Sequence, residues 1–476
     1  MGTRLRTVWL ANVAVGAAAV TVRTPFRTPA AFHTRTTEPV RTQRQSLVAS
    51  DLEVVTVTDR SAVLTWTTRA RDGSGRPRPA PADTEVRIAP ADGRLPATTY
   101  FHATERTPFH YAEIHGLEPG RSYRFEAYSD GRRAVPARTL VTRAPGTPES
   151  TGVFTTLTPP PGVLLRTVVL ANDVHYGERT SGLLVAGFPS GFRDEFAEHP
   201  ELMLEAVLDD VHRPDRAADH LILAGDLTDS GTPEQSRAVR DRLDRWGRHG
   251  DDWLVCRGNH DAPIAPDNDP WGAAFHARQQ LITHEAGGLR LIGLDTTRLR
   301  GSGGTIVTPQ LDRLREVLAA DPDRPTIVFG HHPVTLSAAV SNPGGPGFVL
   351  DRATAAGLHE LYRQSPGVFL HHSGHTHRNR RGRPDIGIDV EFTEGAAVKE
   401  YPGGYLMVRL YTGGYMVNFY KTRTEAARRW STRTRRQYLG LHPDHSLGSF
   451  ADRNHVVLRD LTALSASASL RRSRPS

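Results

Sequence analysis

Five short polar segments of the sequence contain the residue types that bind metal ions and transfer protons. Each follows an apolar run with the length and composition of a β-strand. The segments are Asn172-Asp173-Val174-His175, Gly225-Asp226-Leu227-Thr228-Asp229, Gly258-Asn259-His260-Asp261, Gly330-His331-His332 and Gly374-His375-Thr376-His377. One histidine or one Gly-Asp pair at a strand end is commonly a hydrogen-bonded polar group or a turn. Five such segments in one chain, each at a strand end, predict a shared metal site.

The elements around these segments are predicted to bring them together. Strands are predicted at 164–171, 220–224, 253–256, 289–294, 326–329 and 367–371, with helices at 202–211, 234–246, 310–318 and 353–362. This alternation predicts an α/β sheet, which finishes in an antiparallel hairpin at 405–411 and 415–420. The carboxyl ends of parallel strands share one edge of a sheet, so the polar segments converge there. The glycines before the polar residues permit sharp turns.

The region before this α/β pattern contains short strands of even spacing and no helical periodicity. Strands are predicted at 52–58, 62–67, 84–88, 98–102, 111–114 and 123–128, which indicates a β-sandwich. Leu117, Pro119, Gly120 and Tyr123 have the spacing of a tyrosine corner, and Trp66 stands on an early strand. Over about 105 residues, this segment resembles a fibronectin type III domain.

Composition excludes several classes of protein. The chain has 476 residues, a net charge of +7 and one cysteine, so neither a disulfide scaffold nor a site built from several cysteines is available. No apolar run reaches the ~20 residues of a membrane span. All basic residues except Lys399 and Lys421 are arginine, and these are scattered apart from one cluster. A nucleic-acid groove would combine clustered arginines with aromatic residues, so the sequence does not predict a nucleic-acid partner.

Four segments are predicted along the chain. Residues 1–46 form either a weak secretory signal or a disordered N-terminus, so export and a cytoplasmic location both stay open. Residues 47–157 are the β-sandwich, 158–425 the α/β domain, and 426–476 a basic extension with a disordered end. The sequence makes no prediction of oligomeric state.

The five polar segments, in their order, resemble the motif series of the calcineurin-like metallophosphoesterase superfamily. Those motifs are D-x-H, G-D-x-x-D, G-N-H-D/E, G-H and G-H-x-H, and the resemblance covers about residues 164–420. It implies a four-layer α/β/β/α catalytic domain beside the sandwich. It also implies a hydrolase with two metal ions and a small phosphorylated substrate.

The resemblance assigns roles to individual residues. One metal would be held by Asp173, His175, Asp226 and His377, and the other by Asp226, Asn259, His331 and His375. Imidazole and carboxylate ligands without thiolate suit manganese, iron or zinc. A hydroxide bridging the metals would attack phosphorus, and His260 would act as general acid. Asp229 would orient His260 and raise its pKa, or would instead cap the following helix. His332 and His371 are interpreted as structural, with His332 closer to substrate.

Departures from better-known branches favour a phosphodiesterase. Asp229 stands where purple acid phosphatases carry a tyrosine ligand, and those enzymes lack the equivalent of His175, so a charge-transfer iron site is not expected. Ser230-Gly231 replaces the Arg-Gly of serine/threonine phosphatases, which removes a phosphate-gripping arginine. The pattern, including Tyr401-Pro402-Gly403-Gly404-Tyr405, is closer to bacterial phosphodiesterases. The alternatives are a phosphomonoesterase, a nuclease with the same metals, and a binding protein whose metal domain is vestigial.

Two insertions could cover the substrate. Residues 178–198 contain Phe188, Phe192 and Phe196, and residues 261–287 contain Trp271 and Phe275. The aromatic side chains would either form lids over a bound substrate or pack the insertions onto the body of the domain. The sequence leaves both alternatives open.

Overall fold

The computed structural model describes residues 47–93, 98–137, 146–182, 198–263, 267–299, 301–382, 387–437 and 443–464. The signal-like segment 1–46, the phenylalanines of the first insertion and the tail 465–476 lie outside the described residues. The chain divides into two compact units. One contains the described residues up to Val54 with Leu64–Glu113 and Tyr123–Phe154, and the other contains Val55–Val63, Ile114–Ser122 and the described residues from Thr155 onward.

The N-terminal part of the chain is rich in β-structure, as its strand pattern predicts. Its elements are β1 (Val48–Val57), β2 (Ala62–Arg71), β3 (Pro77–Pro79), β4 (Ala82–Pro90), β5 (Thr98–Thr107), β6 (Phe109–Ile114), β7 (Ser122–Ser129), β8 (Arg132–Arg133), helix α1 (Pro148–Thr151) and β9 (Val153–Thr155). One sheet has the order β1-β2-β3 with β6 beside β2. The other has the order β5-β4-β7-β8 with β9 beside β7.

The two N-terminal sheets meet around a buried tryptophan. Trp66 on β2 is 2% exposed, and its indole N–H donates to Ser129 Oγ on β7 at 2.9 Å. His110 on β6 stacks on Trp66 with ring centroids 4.8 Å apart and contacts Thr84 on β4 through Nδ1. Buried and half-buried residues alternate along β4 and β7 because one face of each strand points inward. These contacts join the two sheets as the layers of a sandwich.

The remainder of the chain contains the elements that carry the five polar segments. They are β10 (Leu164–Ala171), α2 (His199–Val211), β11 (His220–Ala224), α3 (Pro233–Trp246), β12 (Trp253–Cys256), α4 (Pro270–Ala274), β13 (Ile282–Ala286), β14 (Leu289–Leu294), α5 (Thr308–Ala320), β15 (Thr326–Gly330), α6 (Leu336–Ser341), a 3-10 turn (Gly345–Phe348), α7 (Arg352–Arg363), β16 (Val368–Ser373), β17 (Arg380–Gly382), β18 (Glu391–Glu394), β19 (Gly404–Tyr411), β20 (Gly414–Lys421), α8 (Glu425–Thr434), α9 (Pro443–Leu447), α10 (Phe450–Arg453) and β21 (Asn454–Leu458).

These strands form two six-stranded mixed sheets. The first has the order β12-β11-β10-β19-β20-β21, and the second has the order β13-β14-β15-β16-β18-β17. Strands β10, β11 and β12 run parallel, and so do β14, β15, β16 and β18. Each sheet therefore has an edge where the carboxyl ends of parallel strands lie side by side, as the sequence predicts for the polar segments. Residues 426–476, predicted as an extension, contribute β21 to the first sheet.

The two faces of the second sheet pack against different elements. Ile292, Leu294 and Val328 pack with Leu314 of α5 and Leu358 of α7. On the opposite face, Phe369 lies 5.2 Å from Tyr415 of the first sheet, measured between ring centroids. The sheets therefore face each other, with α5 and α7 covering the outer face of the second. None of the helices in the described part of the chain has the length and apolar content to cross a membrane.

Candidate metal centre

The five polar segments lie at the carboxyl ends of five strands, as their spacing predicts. Segments containing Asp173, Asp226 and Asn259 follow β10, β11 and β12, which are neighbours in the first sheet. Segments containing His331 and His375 follow β15 and β16, which are neighbours in the second sheet. The facing sheets thus present both groups at one place.

Backbone hydrogen bonds lock the loops together. The amide of Asp173 donates to Gly225 O at 3.1 Å, and the amide of His175 donates to Asp226 O at 2.9 Å. The amide of Gly374 donates to His331 O at 3.0 Å. A Cβ at Gly258 would collide with the backbone and side chain of Asp226, so only glycine permits this approach. The ligand candidates are therefore held by main-chain contacts, independently of any bound ion.

A buried aspartate from the third segment ties two of the loops together. Asp261 is 1% exposed, and its carboxylate accepts the backbone N–H groups of Leu227, Thr228 and Gly258 at 2.8–3.1 Å. Burial and the nearby Asp226 charge raise the pKa of Asp261 to about 6. Asp261 therefore acts on the shape of the site and does not belong to the cluster of candidate ligands.

Five candidate ligands have left-handed backbone conformations. Their φ angles lie between 49° and 67°, whereas only nine non-glycine residues in the described part of the chain have positive φ. Each such conformation costs on the order of 1–3 kcal/mol, so the surrounding hydrogen bonds must impose it. The five residues are Asp173, His175, Asp226, His375 and His377. Strain concentrated at one cluster is typical of a functional site.

Asp226 lies between two groups of side chains. Its Oδ2 atom is 3.4 Å from His175 Nε2 and 3.2 Å from His331 Nε2. In the group that contains His175, Asp173 Oδ1 lies 3.8 Å from His175 Nε2 and 3.3 Å from His377 Nε2. Asp173, His175 and His377 form one cluster that could hold a metal ion, and Asp173, Asp226 and His331 form another.

The group that contains His331 also includes the remaining ligand candidates, Asn259 and His375. His331 Nε2 lies 3.0 Å from Asn259 Oδ1 and 3.1 Å from His375 Nδ1. The Nδ1–H of His331 donates to Ala224 O at 2.9 Å, which leaves Nε2 facing the cluster. The structure therefore brings all seven predicted ligands together around Asp226.

Unpaired buried atoms provide a test of whether cations fit this cluster. Asp173 Oδ1, His175 Nε2 and His375 Nε2 are buried and lack a hydrogen-bond partner among the described residues. Buried polar atoms without partners are costly, and a metal ion coordinated at this point would satisfy them. Oxygen and imidazole donors without thiolate match zinc, manganese and iron. The residues present therefore fit a metal centre, and the identity of the metal is not specified by them.

The ionisation of the cluster shows that it stabilises positive charge. Burial alone would raise the pKa values of Asp173 and Asp226, yet the neighbouring imidazoles hold both well below the usual range. Burial alone would lower the pKa values of His331 and His377, yet the adjacent carboxylates raise them to about 9 and about 10. The carboxylates thus remain anionic and attract positive charge at this site.

His260 lies at the exposed edge of the cluster. Its side chain is 40% exposed, its backbone N–H donates to Asp226 Oδ1 at 2.8 Å, and its ring centroid is 4.4 Å from that of His175. The Nδ1–H donates to the main-chain carbonyl of Asp229 at 2.8 Å, while the Asp229 carboxylate is 3.8 Å away. The main chain of Asp229, rather than its side chain, orients the His260 ring. The alternative that Asp229 caps the next helix is wrong, because Thr232 is the N-cap of α3.

The two other histidines near the motifs occupy different environments. His332 is fully buried, its Nδ1 contacts Thr296 Oγ1 at 2.8 Å, and it forms a cluster with His331 and His375. His371 Nδ1 forms a 2.7 Å hydrogen bond with the Tyr362 hydroxyl. His371 is therefore held within the second sheet and its helix layer, whereas His332 adjoins the candidate ligands.

Sequence reasoning missed a set of charged residues behind His377. Glu400 Oε1 accepts the Nδ1–H of His377 at 2.8 Å, and Lys399 Nζ donates to Glu178 Oε1 at 2.7 Å. Glu400 and Lys399 are 4% and 5% exposed. The available signal was an adjacent acid and base flanked by the apolar run Ala396-Ala397-Val398. Charged residues are rarely buried unless paired, so this pair in an apolar setting indicates a structural or functional demand.

The aromatic residues of the second insertion pack into the body of the domain. Trp271 is fully buried, Phe275 is 9% exposed, and their ring centroids are 4.7 Å apart. Of the two alternatives left open for these residues, packing is therefore confirmed and the lid is wrong. The buried Arg257, directly before Gly258, stacks on Trp271 and forms two 2.7 Å hydrogen bonds with Asp269. Arg257 thereby anchors the insertion to the third ligand loop.

Replacing Arg257 with methionine is expected to destabilise the catalytic unit. The half-buried carboxylate of Asp269 and the buried carboxylate of Asp295, 2.7 and 3.5 Å from the guanidinium, would lose their countercharge. Removing one partner of a buried ion pair costs about 3 kcal/mol. Urea denaturation followed by fluorescence measures this loss. The control is Arg313→Met on α5, whose exposed pair with Glu316 is expected to contribute below about 1 kcal/mol. Equal losses in both variants would contradict the anchoring role.

Comparisons with known proteins give relatives for the catalytic part of the chain. A model of the calcineurin-like phosphoesterase family matches residues 166–379. A protein described as a probable cyclic nucleotide phosphodiesterase from Synechococcus sp. is 29% identical over 168 residues. That alignment covers 34% of this chain and 59% of the relative, so the chain spans less than two thirds of the relative's length.

Solved structures with some similarity include two phosphatases. A dimetal phosphatase from Danio rerio has 14% sequence identity and a TM-score of 0.41, and the alignment covers 55% of this chain and 98% of that chain. A purple acid phosphatase from yellow lupin (Lupinus luteus) also has 14% identity and a TM-score of 0.41, with 88% and 76% coverage. The matched residues include all five polar segments described above. Residues 166–379, slightly less than half of the chain, are thus similar to the calcineurin-like phosphoesterase family.

Proposed function

We propose that this protein is a metal-dependent phosphoric ester hydrolase that acts preferentially on phosphodiesters. The observation that carries the proposal is the position of Asp226 Oδ2 between His175 Nε2 and His331 Nε2, at 3.4 and 3.2 Å. A carboxylate oxygen flanked by two sets of nitrogen and oxygen donors is suited to bridge two cations.

The chain would hold the two cations with the seven clustered side chains. Asp173, His175, Asp226 and His377 would hold one, and Asp226, Asn259, His331 and His375 the other. When bound, manganese, iron or zinc ions supply a Lewis acid, lower the pKa of a coordinated water and neutralise charge on the phosphoryl group. Five of the seven have the strained backbone described above, and the carbonyl of His331 accepts the amide of Gly374, so the protein presents these six side chains in a fixed arrangement.

His260 is proposed as the general acid that protonates the leaving oxygen. Its position fits this role, because the ring is exposed beside His175 while Nδ1 is fixed on the Asp229 carbonyl. The Nε2 atom is then the one available to transfer a proton to a substrate. The Asp229 carboxylate lies 3.8 Å from His260 Nδ1.

The ion pairs that the nearby arginines form favour a diester substrate over a monoester. Arg257 and Arg378 adjoin the ligand segments, and both are buried in ion pairs, with Asp269 and with Glu394 at 2.7 and 2.8 Å. Lys399 is likewise paired with Glu178. A phosphate monoester carries one more negative charge than a diester and is commonly gripped by an arginine fork. The basic residues at the described ligand loops are already committed to carboxylates, which suits the less charged substrate.

The N-terminal unit is proposed to be a fibronectin type III-like domain without a part in the chemistry. Trp66 and the buried Tyr123, which lies against Phe154, support this proposal. All nine residues proposed for metal binding and proton transfer lie between Asp173 and His377, in the other unit. The partner of the N-terminal unit is not specified by these residues.

A substrate panel tests the proposed function. Chelator-treated protein would be reloaded with Mn²⁺ and assayed on bis-nitrophenyl phosphate, nitrophenyl phosphate, 3′,5′-cyclic nucleotides and single-stranded DNA. We expect bis-nitrophenyl phosphate and the cyclic nucleotides to be hydrolysed at least about tenfold faster than nitrophenyl phosphate. Without metal, we expect no hydrolysis. Faster cleavage of nitrophenyl phosphate would indicate a monoesterase, and preferential degradation of DNA would indicate a nuclease. No hydrolysis of any ester by metal-loaded protein would overturn the proposal.

A further inference from the structure

We propose that Glu400 is a positioning residue for the metal centre, held in place by the C-terminal helix α8. The inference rests on the proposed function, because it concerns how one of the proposed ligands, His377, is presented to a cation. Glu400, Lys399 and α8 all lie beyond residues 166–379, the part of the chain that matches the family.

Both carboxylate oxygens of Glu400 are committed to specific partners. Oε1 accepts the Nδ1–H of His377 at 2.8 Å, and Oε2 accepts the hydroxyl of Ser181 at 2.5 Å. The Gln437 side-chain amide donates to Ser181 Oγ at 2.6 Å. Because a carboxylate accepts only, Nδ1 of His377 carries a proton toward Glu400, while the Nε2 atom faces Asp173, 3.3 Å away. Glu400 thus fixes the tautomer and ring orientation that a metal ligand needs.

The helix α8 fixes the main chain on both sides of Glu400. The indole N–H of Trp430 donates to Lys399 O at 2.7 Å, and the hydroxyl of Ser431 donates to Pro402 O at 2.8 Å. The amide of Tyr401 donates to Thr434 Oγ1 at 2.9 Å. Residues 430, 431 and 434 lie on one face of the helix, and all three are buried. One helical face therefore holds the main chain of three residues, Lys399, Tyr401 and Pro402, on the two sides of Glu400.

A buried lysine balances the negative charge of this arrangement. Lys399 Nζ contacts Glu178 Oε1 at 2.7 Å, and Glu178 Oε2 lies 3.1 Å from His199 Nε2. His199 stacks on Trp430 with ring centroids 4.4 Å apart, which joins this pair to α8. Only two lysines occur in a chain whose other basic residues are all arginine, and Lys399 is 5% exposed. The cation next to Glu400 lowers the cost of burying its carboxylate.

A second glutamate–histidine pair in the same unit offers a matched control. Glu391 is 2% exposed, and its Oε1 lies 2.7 Å from His455 Nε2, while Oε2 accepts from Arg381. Neither Glu391 nor His455 belongs to a metal-capable cluster of the described residues. The two pairs have the same chemistry and similar burial, and they differ in whether the histidine faces the candidate metal centre.

The test measures Mn²⁺ binding to chelator-treated full-length protein by calorimetry. Glu400→Ala is expected to weaken one of two Mn²⁺ sites by about 10–100-fold, which is the usual effect of losing the carboxylate behind a metal-bound histidine. Glu400→Gln retains an acceptor for Nδ1–H and is expected to recover most of this affinity. Glu391→Ala is expected to bind Mn²⁺ as the wild type does. The visible spectrum of Co²⁺-loaded protein is expected to change in Glu400→Ala and to remain unchanged in Glu391→Ala.

Several outcomes would overturn the inference. Wild-type affinity and an unchanged Co²⁺ spectrum in folded Glu400→Ala would overturn it while leaving the proposed function intact. Equal weakening in Glu391→Ala would show that the effect is a general loss of stability. If Glu400→Ala does not fold, Glu400→Gln decides through its Co²⁺ spectrum, which must differ from that of the wild type. Wild-type protein that binds no Mn²⁺ would overturn the proposed function and this inference with it.

Discussion

Asp226→Asn is expected to abolish loading of a metal pair and to lower kcat/KM for bis-nitrophenyl phosphate by at least about a thousandfold, on the order of 4 kcal/mol of transition-state stabilisation. Asp226 Oδ1 accepts the His260 amide at 2.8 Å, and an asparagine oxygen can retain that bond. The neutral NH₂ group then takes the place of Oδ2, which faces His175 and His331. An amide nitrogen cannot bridge two cations, so the substitution removes the bridge with little change in shape.

Metal analysis after gel filtration, together with steady-state kinetics, measures this effect. Asp295→Asn is the matched control, because Asp295 is 2% exposed and accepts backbone amides of Gln279 and Thr297 at 2.7 and 3.0 Å. It lies outside the metal-capable clusters of the described residues. We expect this control to lose stability and to retain two metals. Two metals and full activity in Asp226→Asn would refute the bridging assignment.

The sequence predicted the framework of this centre because strand ends have strong local signals. The predicted bounds of β10, β11, β12 and β14 match the structure residue for residue. Each is a short, mainly apolar run that is buried apart from Leu164 and is followed by a polar residue or glycine, so both the strand and the segment after it are visible locally. Parallel pairing then brings the segments together, which explains why all seven predicted ligands lie around Asp226.

Other features depend on contacts between residues far apart in the chain. Glu400 meets His377 only because the loop at 399–402 is held by α8, and neither partner reveals this locally. Asp229 orients His260 with a carbonyl, a group that every residue has and no pattern identifies. The burial of Trp271 depends on Arg257, which the sequence places next to the motif without indicating its partner. The sequence motifs therefore indicated which side chains cluster, and tertiary contacts decide what supports them.

His260→Ala is expected to leave metal content unchanged and to slow esters with poor leaving groups selectively. His260 is not one of the seven proposed ligands, and its Nδ1 is held by the Asp229 carbonyl. Methyl or nucleoside esters need a proton on the leaving oxygen, and losing a general acid costs such substrates about 10³-fold. Nitrophenolate leaves without protonation, so nitrophenyl esters are expected to lose less than about tenfold.

A leaving-group series measured at saturating Mn²⁺ separates this role from metal binding. The slope of log kcat/KM against leaving-group pKa should become steeper in His260→Ala than in the wild type. Asp229→Asn is the informative companion, because it retains the carbonyl that orients the ring and removes only the carboxylate at 3.8 Å. Its effect is therefore expected to stay within about tenfold across the series. Equal slopes of this plot for the wild type and His260→Ala would exclude His260 as the acid. A loss in Asp229→Asn equal to that in His260→Ala would assign the orienting role to the Asp229 carboxylate instead.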